Sequence, residues 1–97
     1  MPTYITLYNY TQEGIEHIDE SPDRLDGFID LVESMGGELI EYYLTMGEYD
    51  VITITEFPDD DAAAKALLRN AQAGAGTAQT LKAWPEADYR ELIANLP

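Results

Sequence analysis

Residues 38–57 read ELIEYYLTMGEYDVITITEF, and the fold turns on how they pair. Glu38–Thr45 and Tyr49–Phe57 are rich in β-branched and aromatic residues and alternate in polarity, as half-buried strands do. Met46-Gly47-Glu48 between them is a tight turn, so the two runs form an antiparallel hairpin. In the first strand Ile40, Tyr42 and Leu44 share one face, and Leu39, Glu41 and Tyr43 share the other. In the second, Ile52 and Ile54 oppose Val51, Thr53 and Thr55. Pro58 ends the pairing, because it has no N–H to give to a ladder.

The same reading extends outward. Ser21-Pro22 opens a helix: Ser caps, and Pro fits a first turn where a missing N–H costs nothing. Leu25, Phe28, Ile29, Val32 and Met35 then recur at spacings of three and four, opposite an acidic stripe of Asp23, Asp26, Asp30 and Glu33. Gly36-Gly37 closes that helix by permitting a left-handed residue. Thr3–Tyr10 (TYITLYNY) is a further strand, with Ile5 and Leu7 on one face and Tyr4, Thr6, Tyr8 and Tyr10 on the other. Thr11–Glu20 is a short irregular or one-turn helical stretch. Downstream, Asp59-Asp60-Asp61 opens a second helix that runs to Ala73, its acids complementing the positive end of the dipole. Ala63, Ala66, Leu67 and Ala71 point inward, and Asp61, Lys65 and Arg69 make a surface ladder at i, i+4 spacing. Thr77–Trp84 is a fourth strand. Pro85 begins a terminal helix with Tyr89, Leu92, Ile93 and Leu96 as its apolar stripe.

The order β-α-β-β-α-β plus a terminal helix is the α+β, ferredoxin-like arrangement. It has a four-stranded antiparallel sheet with two helices on one face. The aliphatic row Ile5, Leu7, Ile52 and Ile54 is expected to meet those helices. The bare face is then expected to carry Tyr8, Tyr43, Val51, Thr53 and Leu81. Such a surface is too apolar to stay wet, so the chain is expected to form a homodimer, two sheets stacked as a dimeric α/β barrel.

With 97 residues, the chain has the length of one domain, 1–97. It has no cysteine, which excludes a disulfide framework and thiolate chemistry and leans towards a cytoplasmic setting. The start has no basic, apolar leader pattern, and no apolar run is long enough to cross a bilayer. Nineteen acids against five bases give a net charge of −14, which disfavours nucleic acid and anionic membranes as partners. The charge is uneven: residues 1–50 hold twelve acids and one base, Arg24. This acidity is either a surface for a cationic ligand or a salt-adapted, halophilic coat that keeps the protein soluble.

Several constellations are candidates for chemistry, each with a plainer alternative. At the turn, Gly47 permits a backbone closed to other residues, Tyr49 donates a hydrogen bond, and Asp50 accepts several or acts as a base. Equally, Gly47 closes a hairpin and Asp50 caps backbone amides. His17 is the only imidazole and the one group with an ordinary pKa near neutrality; beside Ile15 and Ile18 it also reads as a packing residue. Tyr8 and Tyr43 belong to a tyrosine-rich set that suits a small-molecule cavity or a dimer seam. The Asp59-Asp60-Asp61 run lacks calcium-loop spacing and reads as capping, so no metal and no cofactor is expected.

Gly47-Glu48-Tyr49-Asp50 also resembles the turn of the GYD-domain family. Thr11 and Gly14, Ser21-Pro22-Asp23-Arg24-Leu25, Gly36-Gly37, Tyr43-Leu44-Thr45 and Pro58-Asp59-Asp60 add to the resemblance, which covers residues 3–84. The helix after Pro85 is then a local extension. The resemblance implies a dimeric ferredoxin-like α/β fold and almost nothing about function. Two functional readings remain: a small-molecule-binding or interaction module, or a cofactor-independent enzyme of monooxygenase or isomerase type on the same scaffold.

The acidic stripe on the Ser21 helix carries its own prediction. Like charges at i, i+3 and i, i+4 spacing cost about 0.2–0.5 kcal/mol a pair, and salt screens them. The melting temperature should therefore rise as NaCl goes from dilute to molar. A flat or falling value would remove the salt-adapted reading.

Overall fold

A computed structural model describes residues Met1–Pro97. The elements are β1 (Thr3–Tyr10), α1 (Gln12–Glu16), a 3-10 turn (Ile18–Glu20), α2 (Ser21–Ser34), β2 (Glu38–Leu44), β3 (Val51–Glu56), α3 (Asp60–Ala71), β4 (Gly76–Ala83) and α4 (Glu86–Ala94). One sheet has the order β2-β3-β1-β4, every pair antiparallel. This is the ferredoxin-like α+β arrangement, with β1 and β3 central and α2 and α3 as crossovers on one face.

In β1 and β3 the two faces of the sheet are the reverse of the sequence expectation, whereas Tyr43 and Leu81 lie on the bare face as expected. Tyr4 lies at the centre of the core beneath the helices, with Val32 of α2, Ala63 and Ala66 of α3, and Phe57. Pairing in register puts Thr6, Thr53 and Thr80 in one row across the sheet on that same side. Tyr8 and Val51 follow in the next row. Ile5, Leu7, Ile52 and Ile54 alternate with these residues and so point away from the helices. The physical reason is complementarity of size. The inward residues of α3 are alanines, which leave depth for tyrosine rings. Tyr4 spans that depth, packs edge-on against Phe57 (ring centroids 5.8 Å apart) and donates from its hydroxyl to Asp60 in the first turn of α3. Lys82 Nζ reaches the same carboxylate at 3.0 Å.

Local details differ from expectation in four places. A bulge between Leu39 and Glu41 takes Ile40 out of the alternation, so Leu39, Tyr42 and Leu44 pair with the helix-facing residues of β3, and Tyr43 points outward. The β2–β3 turn is wider than Met46-Gly47-Glu48: Thr45 N–H bonds to Asp50 O (2.8 Å), while Asp50 N–H turns to Tyr8 O on β1 (2.9 Å). Ser21 makes no capping bond, because the 3-10 turn before it runs directly into α2. The Asp61-Lys65-Arg69 ladder does not form; Arg69 donates instead to Gln72 Oε1 (2.9 Å), and the ion pairs are Lys82–Asp60 and Arg90–Glu86. At the other helix, Asp59 does cap α3, accepting from Ala62 N–H at 2.8 Å.

The shape is elongated, 51 × 31 × 17 Å, with a radius of gyration of 14.6 Å, where a compact chain of this length has about 13 Å. None of the residues of α4 is buried.

α1 is fastened to the loop before β4. Thr11 N–H donates to Ala75 O (3.0 Å), and Thr11 Oγ1 donates to Gly74 O (2.8 Å). Gly14 lies directly on the Ala75 carbonyl, with no room for a Cβ. Gly14→Ala should therefore cost about 1–3 kcal/mol, readable as a lower midpoint in urea unfolding. An unchanged midpoint would show that the loop yields freely.

Candidate functional site

α2 and α3 pack closely over Tyr4 but separate towards the other end of β1, and the gap is a cleft of about 700 Å³. Thr6, Tyr8, Val51, Thr53 and Thr80 of the sheet form its floor. Leu25, Phe28 and Leu31 of α2 make one wall, and Leu67, Arg69 and Asn70 of α3 make the other. The floor comes from the alternation that turns the tyrosine and threonine side of β1 inward. The walls come from the helical spacing of Leu25, Phe28 and Leu31.

Polar chemistry gathers at one end, where Tyr8, Tyr10, Tyr42 and Arg24 line the cleft. The Tyr8 and Tyr10 rings meet edge to face, 5.7 Å between centroids. Partial burial pushes the Tyr42 phenol up to about 12, helped by the neighbouring Tyr10 phenol. Burial also raises Tyr8, against the opposing pull of the Arg24 charge. These two phenols thus stay protonated, as neutral donors, across the physiological range. The ring of Tyr8 occupies the space that a side chain at Gly76 would need.

Arg24 is half-buried. Its Nη1 donates to His17 O (2.9 Å) and its Nη2 to Gly14 O (3.3 Å). It belongs to none of the ion pairs. In the acidic half of the chain, its one base is therefore spent on two backbone carbonyls and stands at the cleft with no carboxylate paired to it.

The residues singled out from sequence are scattered by the fold. Tyr8 lines the cleft. Asp50 sits beside it with its carboxylate turned to the backbone, Oδ2 accepting from Tyr10 N–H at 2.9 Å. Its own N–H also meets Asn9 Oδ1 at 3.1 Å. Gly47, at φ 123°, lies at the open end of the turn. Tyr49 donates to Gln79 Oε1 (3.3 Å) of β4, a residue paired with Leu7 on the outward side. Tyr43 is on that outward face and 53% exposed. His17 is exposed, its Nδ1 3.6 Å from Glu20. No three His, Asp or Glu side chains converge as a metal site would require.

Sequence reasoning missed Arg24, Tyr10 and Tyr42 as cleft residues. A signal was available for Arg24 alone, as the single base among twelve acids.

The sequence pattern of the GYD domain matches residues 4–93. The chain belongs to the GYD domain family. The match extends through most of α4, so the terminal helix is part of the family's domain and not a local extension. A Thermus thermophilus relative is 34% identical over 97 residues, covering 99% of both chains, and is named a glutamine synthetase and cystathionine beta-lyase binding protein. Two solved structures share the fold. A crystal structure of a Thermus thermophilus protein has a TM-score of 0.55 at 15% identity, over 88% of this chain and 95% of the other. One from Agrobacterium tumefaciens has a TM-score of 0.57 at 18% identity, over 88% and 93%. No helix of this GYD protein is long and apolar enough to cross a membrane.

Tyr4 and Tyr42 both have pKa values raised from 10.0 to about 12. The folded state favours their neutral form. The stability they lend is full below pH 10 and is lost as the pH rises through 12. In a titration followed by phenolate absorbance, at least these two of the seven tyrosines should ionise late, and Tyr42→Phe should remove one late step. Uniform ionisation near pH 10 in the folded protein would contradict the burial of Tyr4 and the partial desolvation of Tyr42.

Proposed function

We propose that this GYD-domain protein is a cytoplasmic, homodimeric binding module that holds partner molecules without transforming them. One observation carries the reading: the outward sheet face. Ile5, Leu7, Ile52 and Ile54 form a contiguous aliphatic row across β1 and β3, only half-buried, and no helix lies over it. Leu81 beside it is 43% exposed and Tyr43 is 53% exposed. Only 11 of 97 residues are buried in the single chain, so much of its apolar surface awaits a cover. Covering such surface is worth about 25 cal/mol per Å², and a second copy presents the same face.

Two further observations support binding over catalysis. Tyr49, Asp50 and His17, the candidates for proton transfer, do not converge on the cleft. The Thermus relative carries a name that describes the binding of two enzymes, which supports a role in holding other proteins. The apolar stripe of α4, with Tyr89, Leu92 and Ile93, continues to Leu96 just beyond the helix, all about half exposed or more, and adds a second surface for such contacts.

Light scattering at micromolar protein should report twice the single-chain mass of 10.8 kDa. The double substitution Leu7→Lys with Ile52→Lys should return it to one chain while circular dichroism keeps its helix and strand signal. A single-chain mass for the unaltered protein would overturn the dimer. Calorimetric titration with glutamine synthetase from the same organism tests the wider role: binding supports it, and no heat at saturating concentrations counts against that partner.

A further inference from the structure

The cleft beneath the helices is complete within one chain and has a chemistry of its own. We infer that it binds a small aromatic carboxylate. The aromatic body would lie among Phe28, Tyr8 and Tyr42, and the carboxylate would lie on Arg24.

A guanidinium has five N–H donors, and Arg24 uses two groups on backbone carbonyls, so donors remain for a ligand. Those two bonds also hold the side chain in place, so little rotamer entropy is left to lose on binding. The charges around the cleft favour an anion with an apolar body. Two guanidinium groups, Arg24 and Arg69, line it in a chain of net charge −14; Arg69 is engaged with Gln72, which leaves Arg24, with no side-chain partner, as the group placed to take a carboxylate. The neighbouring phenols, neutral at physiological pH as any tyrosine is, are hydrogen-bond donors and add no opposing charge. The edge-to-face Tyr8–Tyr10 pair presents ring surfaces suited to another ring. The volume of about 700 Å³ is within the range of small-molecule sites, about 300–1,000 Å³.

Gly27 is an independent observation. It lies within α2 and lines the cleft, and a Cβ there would meet nothing within 4 Å. Glycine at such a position costs about 1 kcal/mol against alanine, and no neighbour requires it. Gly27 is exposed, so a larger side chain can be placed at the edge of the cleft without a clash.

This deepens the binding reading but does not depend on the dimer. The probe is 2-naphthoate, compared with the uncharged 2-naphthalenemethanol of the same ring size, by calorimetry and amide chemical-shift mapping. Naphthoate should bind about tenfold more tightly or better, the factor a charge-assisted hydrogen bond supplies, and should shift Tyr8, Tyr10 and Arg24. Arg24→Gln should bring the two ligands together in affinity. Because Arg24 also ties down α1, a second variant is needed. Gly27→Leu keeps Arg24, adds helix propensity and puts bulk at the edge of the cleft, so it should weaken binding of both ligands at least about tenfold with no loss of thermal stability. Equal affinity of the two ligands for the unaltered protein, no binding of naphthoate, or unchanged binding to Gly27→Leu would each overturn the inference. Light scattering on the same samples separates the claims: naphthoate binding to a single-chain species sinks the dimer and leaves the cleft, whereas a dimer that ignores naphthoate sinks the cleft and leaves the dimer.

Discussion

Alternation along β1 imposes the constraint on which the rest depends. Successive side chains point to opposite sides of a sheet, so TYITLYNY divides into Tyr4, Thr6, Tyr8 and Tyr10 against Ile5 and Leu7. Both halves are substantially apolar, and the crossover helices cover one side only. The chain places its helices over the tyrosines. That choice rests on Tyr4, whose ring fills the depth left by Ala63 and Ala66 and whose hydroxyl ends on Asp60 at the start of α3. The reverse choice would leave long, polar-tipped rings facing water and flat aliphatic side chains beneath alanine helices, with empty space between them.

Two consequences follow from that one placement. The aliphatic face is left bare across the central strands, and the proposed dimer rests on that face. The helices, seated on tyrosines at one end, diverge at the other, where Tyr8, Tyr10 and Tyr42 are joined by Arg24. A core packed with large residues on the sheet and small ones on the helices fills well only where rings and alanines oppose each other. Where α2 offers Gly27 and α3 moves away, a cleft remains. The charge distribution sharpens this picture. The outer surface of α2 is strongly acidic, while the single base of the first half is drawn inward to the carbonyls of Gly14 and His17.

Asp50 illustrates how a chemically capable residue becomes structural. Its amide leaves the hairpin for Tyr8 O and Asn9 Oδ1, and its carboxylate accepts from Tyr10 N–H. The Gly47–Asp50 turn therefore ties the β2–β3 hairpin to the end of β1. Thr11, Gly14, Gly74 and Ala75 tie the same end of β1 to β4. The two ties hold the strand end that carries Tyr8 and Tyr10, so the signature turn supports the cleft from below without entering it.

What the sequence alone determined was local: the strands, the three longer helices, their order, and hence the ferredoxin-like topology, because periodicities of two and 3.6 and the breaks at Gly and Pro act over a few residues. The GYD resemblance was also written in short motifs. Tertiary structure alone decided which face of the sheet the helices took, since both faces carry apolar residues and only the match of ring depth to alanine separates them. It also decided the bulge at Ile40, which put Leu39 on the helix side with Tyr42 and Leu44, and the assembly of Arg24 with three tyrosines from β1 and β2. Those residues are distant in the chain and meet only when the crossover lays α2 on the sheet, so no local pattern could announce them.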